Sequence, residues 1–317
     1  MSNASIRIEQ LMLPTYPEPG KEEMPLFSEH RVHQRSTGRP YPNKVTLEVN
    51  RERKIERSYT VVHLENEYLD VLVLPEIGGR IFAARDKVTD YDFFYRQHVI
   101  KPGLIGALGS WISGGVEFNW PYHHRASGFL PCDFETEECG DGSVICWLSE
   151  HDPIDRMKGM VGIVLKPGCA YLETRVKLCN RTPVTKSFLW WENAAVPVNE
   201  SYQIFFPKDV TYVNFHYLDS RISYPIAGDA TFNGIDMTTA RDISWHKNTK
   251  DATSYFACAS QYDFFGGYDH GLDCGVVHIG DHHVSPGKKM FTWAYNQLSK
   301  TWENTLTDTD GQYAELM

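Results

Sequence analysis

The chain has 317 residues, 42% hydrophobic and 23% charged, enough to bury a sizeable core without disulfide or metal staples and to form one large β-domain or two medium ones. A formal net charge of −10 argues against nucleic acid or an anionic membrane as partner, since both select basic surfaces. There is no apolar run of membrane-spanning length and no charged-then-apolar leader. The cysteines, odd in number at 7, include no C-x-x-C pair. Reduced thiols, no structural disulfide and a cytoplasmic location are therefore expected.

Residues 1–43 read as an extended N-terminal arm, because Pro14, Pro17, Pro19, Pro25, Pro40 and Pro42 disfavour helix interiors and central strands. From residue 44 to 317 the pattern is that of a single all-β domain. In "YTVVHLENEYLDVLVLPEIGGRIFAARDK", three apolar runs are broken by Glu-Asn-Glu and Pro-Glu-Ile-Gly-Gly, which predicts a meander. Pro167-Gly168 and Asn180-Arg181-Thr182-Pro183 supply turns on either side of an alternating run. Further strand-like runs follow at "QIFFP", "VTYVNF", "CGVVHIG" and "KMFTWAY". No long stretch of period 3.6, repeat or low-complexity tract interrupts them. Many short strands with turns between them indicate a sandwich or barrel.

Strand pleating sorts the chemically interesting residues, because alternate side chains share a face. In "GGVEFNWPYHHR", residues 114–125, Glu117 and Asn119 point the same way, followed by Trp120, His123, His124 and Arg125. In "SFLWWENAA", Phe188, Trp190 and Glu192 share one face while Leu189, Trp191 and Asn193 take the other. In "QYAELM", Tyr313 and Glu315 lie together. A carboxylate beside aromatic rings suits a sugar: rings stack on the C–H faces of a pyranose, and carboxylates bind hydroxyls or move protons.

"YDHGLDCGVVHIGDHHVSPGKK" concentrates Asp269, His270, His278, Asp281, His282 and His283. These residue types ligate zinc, iron or manganese. Their spacing, however, matches neither H-E-x-x-H nor a cupin pattern, and strand alternation sends His282 and His283 in opposite directions. No metal and no cofactor is expected. The glycine pairs at 78–79 and 266–267 lack nucleotide-binding spacing, and no G-x-S-x-G elbow is present.

Five segments, "LPEIGGRIFAARDKVTDYDFFY", "IKPGLIGALGSWISGGVEFNWPYHHR", "FPKDVTYV", "SYFACASQYDFFGGYDH" and "HIGDHHVSPGKKMFTWAY", resemble a bacterial domain family of unknown function in the galactose-mutarotase-like superfamily. In longer proteins that family often precedes tetratricopeptide repeats. The resemblance runs from about Pro14 to the last residue. It implies a large antiparallel β-supersandwich whose concave sheet binds carbohydrate. By analogy with the epimerases of the superfamily it implies Glu315 as general base, with His123, His124 or His216 as acid or hydroxyl ligand. Two positions depart from the family: Glu192 stands where a small residue is usual, and Pro197 where a histidine is frequent. The chain also stops at Met317 where the family continues, so a truncated or shortened member is expected.

An enzyme acting on glycosidic bonds through a Glu/His or Glu/Glu acid–base pair is expected. An aldose 1-epimerase and a non-catalytic sugar-binding module stay open beside it. Catalytic candidates are Glu315, Glu117, His124 and His216. Ligand-binding candidates are Arg80, Asn119, Trp120, His123, Arg125, Trp190, Glu192, Asp269, His270, His283 and Trp293. Glu117, His124, His216, Asp269, His283 and Glu315 are expected around one cleft. The expected partner is a mono- or oligosaccharide.

Overall fold

Alternation and turn chemistry account for most of the strands. The structure is a computed structural model that describes residues 4–20, 43–44, 46, 48–104, 109–121, 124–215, 221–228, 231–232, 235–236, 238–250, 252–294 and 297–317. The proline-rich stretch 21–42 and the candidates His123 and His216 lie outside the described residues. The chain divides into two compact units, Met1–Glu192 and Asn193–Met317.

In the first unit, β1 (Ser5–Thr15), β2 (Ile55–Glu65), β3 (Leu69–Leu74), β4 (Arg80–Asp86) and β6 (Val116–Asn119) lie side by side, with the short β5 (Tyr91–Asp92) against β4. The meander expected over 59–87 is β2-β3-β4, paired antiparallel. β1 pairs with β2 along its whole length, from Ser5 opposite Glu65 to Thr15 opposite Ile55. Residues 5–15 are thus an edge strand of the sheet, where Pro14 removes no essential ladder donor.

A second sheet in this unit has the order β10 (Leu172–Asn180), β9 (Met157–Leu165), β8 (Val144–His151), β7 (Asp133–Glu138). It packs on β1 and β2 through β8. Val61, Leu74, Phe82, Ile100 and Ile112 form one buried cluster. Each such side chain removed from water contributes about 1.5–3 kcal/mol.

The second unit carries β11 (Trp191–Pro197, from residue 193 onward), β12 (Tyr202–Phe205), β13 (Tyr212–Phe215), β14 (Arg221–Ser223), β15 (Thr231–Phe232), β16 (Ile235–Asp236), β17 (Thr253–Ala257), β18 (Phe264–Asp269), β19 (Cys274–Ile279), β20 (Lys288–Thr292) and β21 (Tyr313–Leu316). One sheet runs β11-β21-β20-β17-β13-β14, and a 3-stranded sheet runs β12-β18-β19. Ile204, Phe206, Val213, Tyr255, Phe265, Met290 and Leu316 belong to a single buried cluster. The ladders are antiparallel, and with 47% strand and 4% helix among the described residues the fold is an all-β sandwich. The helix α1 (Gln297–Leu306) is an element that the search for a 3.6 period passes over.

Candidate functional site

Glycine opens the way to the site. Gly114 and Gly115 have φ of 90° and 64°, a region that L side chains rarely enter. At Gly115 a Cβ would lie 2.0 Å from the Ile81 carbonyl oxygen. The absence of that carbon lets β6 lie against β4, where Val116 pairs with Ile81. Arg80, 2% exposed at the head of β4, donates from Nη1 to the carbonyls of Ile112 (2.8 Å) and Gly114 (3.2 Å). It thereby holds the approach to β6 and brings a buried positive charge.

From β6 the pleat sends Glu117 and Asn119 to one face, and Val116 and Phe118 to the other, with Trp120 following on Phe118's side. Glu117 is 3% exposed. Its Oε2 and Oε1 lie 3.1 and 3.3 Å from His124 Nδ1. Burial alone would raise the Glu117 pKa, yet the charge and hydrogen bond of His124 and the charge of Arg80 hold it below the ordinary carboxylate range. The carboxylate is therefore ionised in the interior. Nearby, the buried Asn119 Oδ1 accepts the backbone N–H of Arg125 at 3.3 Å.

Two indoles flank His124. The Trp191 ring meets it edge-on, with centroids 4.7 Å apart at 73°, and the Trp111 ring does so at 5.9 Å and 69°. Trp111 is buried, while His124 and Trp191 are half-buried. The result is an ionised carboxylate at the base, an imidazole above it, and aromatic walls. Such a couple fixes the imidazole's orientation through Nδ1 and can carry a proton at the ring.

Other candidates of this unit take different places. Trp120 is 4% exposed, and its ring covers Gly159 of β9, where a Cβ would lie 2.2 Å from its Cε2. It is packed between strands, not presented to a ligand. Phe118 stacks on Trp190 at 6.3 Å, so Trp190 stands with Phe118 and not with Glu117. Arg125 pairs with Glu150 and donates to the Gly78 carbonyl at 2.5 Å. Trp120, Phe118 and Arg125 line a cavity of about 20 Å³, room for about one water and not for a sugar. Glu192 Oε2 accepts from Thr174 at 3.2 Å.

In the second unit, Glu315 on β21 is 7% exposed and accepts the Tyr313 hydroxyl at 3.1 Å. Trp293 is fully buried against Tyr313, with centroids 4.5 Å apart. Asp269 accepts from Asn199 Nδ2 (2.5 Å) and from the backbone N–H of Gly271 (2.8 Å) and Leu272 (3.1 Å), so it anchors the turn after β18. His270 stacks on Trp245 and meets Gln203 Oε1 at 3.0 Å. His283 pairs with Asp281 at 3.0 Å in an exposed turn.

Of the residues expected around one cleft, the structure brings Glu117 and His124 together, while Asp269 and His283 are engaged locally. His282 and His283 lie in a turn between β19 and β20, not in a strand. Their rings are therefore 3.8 Å apart and do not point in opposite directions. Trp191 and Trp111 are the neighbours of His124 that the sequence reading leaves out. β11 starts only at Trp191, so the strand alternation expected to put Phe188, Trp190 and Glu192 on one face does not extend to Phe188 and Trp190. All seven cysteines are free. Burial pushes the thiols of Cys132 and Cys146 up to about 11 and about 12, which keeps them protonated and poor nucleophiles at neutral pH.

These features define an antiparallel all-β protein with an internal carboxylate–histidine couple between indoles. The chain belongs to the family described as a domain of unknown function, DUF5107, whose model matches residues 37–317. It is also similar to the crystal structure of a TPR-domain containing protein from Parabacteroides distasonis ATCC 8503. That match has a TM-score of 0.79 at 22% identity, covering 99% of this chain and 50% of the other. The two share a fold, and this chain spans half the length of that relative. No described helix is long and apolar enough to cross a membrane.

Proposed function

We propose that the protein is a galactose-mutarotase-like protein that binds carbohydrate at the Glu117–His124 couple and processes glycosidic bonds there. The observation that carries this reading is the bond from His124 Nδ1 to a buried, ionised Glu117, set between Trp111 and Trp191. Glu117, 3% exposed, orients the imidazole through its bond with Nδ1. His124 is the group that exchanges a proton with a ligand. Trp191, half-buried, offers a ring for the apolar face of a pyranose.

A glycan-binding screen on purified protein, followed by product analysis on each hit, tests the reading. Hydrolysis and anomer exchange give different products and separate the glycosidase from the aldose 1-epimerase. His124→Gln should lower turnover by about 10²–10⁴ with binding retained, the usual cost of losing a general acid or base. Trp191→Ala should weaken binding by about tenfold, the scale of one aromatic contact. Glycan binding with no turnover in the wild type makes the domain a sugar-binding module. Binding unchanged in Trp191→Ala sinks the placement of the site.

A further inference from the structure

We infer that Asp281, His282 and His283, in the turn between β19 and β20, form a binding site for a divalent transition-metal ion. One donor atom from each residue lies within 4.8 Å of the others. Metal–nitrogen and metal–oxygen bonds of about 2.0–2.2 Å place donors roughly 3–4 Å apart, so small side-chain rotations close the set.

The backbone prepares the site. The N–H groups of Val284 and Ser285 donate to the Asp281 carbonyl at 3.0 and 2.8 Å, and Gly280 N–H donates to the Asp263 carbonyl at 2.7 Å. The turn is closed by its own hydrogen bonds and not by the ligating side chains alone. Asp281 Oδ1 also accepts the His283 N–H at 2.9 Å, which fixes the carboxylate beside the two rings. The imidazoles lie 3.8 Å apart, tilted by 40°.

A fourth residue acts through one ligand. Asp263 Oδ1 lies 2.7 Å from His282 Nδ1 and accepts the His282 backbone N–H at 3.0 Å. A carboxylate on Nδ1 orients the ring and directs Nε2 to the ion, an outer-shell arrangement common among metal-binding histidines. Asp263 is thus a positioning residue. Two imidazoles and one carboxylate suit Zn²⁺, Co²⁺ or Ni²⁺ better than Mg²⁺ or Ca²⁺, which prefer oxygen ligands throughout. Three protein ligands leave coordination positions for water or a further ligand.

Co²⁺ titrated into tag-free protein and followed by visible absorption tests this. One equivalent should bind with the spectrum of nitrogen and oxygen ligands, not of thiolates. His283→Ala and Asp281→Asn should each weaken binding by at least about tenfold, and Asp263→Asn by about 10–100-fold. His151→Ala, an exposed histidine elsewhere, should leave the titration unchanged. Circular dichroism checks that each variant keeps its sheet content. No binding in the wild type, a thiolate spectrum, or equal binding in the His282→Ala/His283→Ala double variant overturns the proposal.

Discussion

Both units hold carboxylate–histidine pairs at nearly equal distances, and the surroundings make them different. In the first unit Glu117 and His124 are 3.1 Å apart with side chains 4% and 19% exposed. In the second, Asp281 and His283 are 3.0 Å apart with side chains 63% and 78% exposed. Water and salt screen the second pair, so it adds little to stability. The first pair is in a medium where an unpaired charge is expensive, and His124 and Arg80 keep the Glu117 carboxylate below its ordinary range there. The interior couple keeps its carboxylate ionised out of water. The surface set stands open to solvent, with Asp281 and His283 both exposed.

The contrast rests on β6 being interior, and the reverse face of that strand tests it most severely. Trp120→Ala should destabilise the protein by about 3–5 kcal/mol in chemical denaturation, the range for emptying a core position of an aromatic ring. A loss below about 1 kcal/mol would mean that the ring does not pack on Gly159, and the argument for a buried Glu117 would fall with it.

Glu117→Ala leaves Arg80 and His124 without their carboxylate and should cost about 3 kcal/mol or more. The pH dependence has a definite sign. The folded pKa of Glu117 lies below its unfolded value, so its stabilisation is present above the unfolded carboxylate pKa. It is lost as pH falls through the lowered folded value. Acid denaturation of Glu117→Gln should accordingly show a smaller stability loss below pH 4 to 5 (about the ordinary carboxylate range) than the wild type.

His246 in the second unit sharpens the comparison by offering burial without a carboxylate. It is 1% exposed, and burial, only partly offset by a hydrogen bond with Gln312, pushes its pKa down to about 4. The fold therefore holds it neutral, while the unfolded chain takes up a proton near the ordinary value. Stability should fall as pH drops from about 6.5 to about 4, by up to about 3 kcal/mol. His246→Gln should flatten that part of the profile. An unchanged profile would show that the ring is hydrated.

The smallest effects belong to the surface. In the absence of metal, His283→Ala and Asp281→Asn should each leave the denaturation midpoint close to that of the wild type, and added salt should shrink any difference further. A larger loss would place the turn in the interior and remove the distinction between the two pairs.

Much of this molecule was legible one segment at a time. The β2-β3-β4 meander, the β9–β10 pair around Pro167-Gly168, and strands at 202–205, 212–215, 274–279 and 288–292 follow from a period of two and from turn residues, both local properties. So does the placing of Glu117 and Asn119 on one face of β6, and the pairing of Tyr313 with Glu315 on β21. Local pattern also predicted an all-β chain.

What stayed hidden depends on which distant segments meet. Trp190 lies just before β11 and Trp191 opens it, so only the assembled fold makes Trp191 the neighbour of His124 and gives Trp190 to Phe118. Trp120 looks like a binding ring until β9 supplies Gly159 beneath it. His282 and His283 diverge on a strand but converge in a turn, because a turn abandons the alternation from which their directions were inferred. Sequence alone determined most of the strands and the alternation within them, since these arise from neighbours along the chain. Tertiary structure decided which faces and rings come together, since burial and charge at Glu117 are set by residues as far away as Arg80.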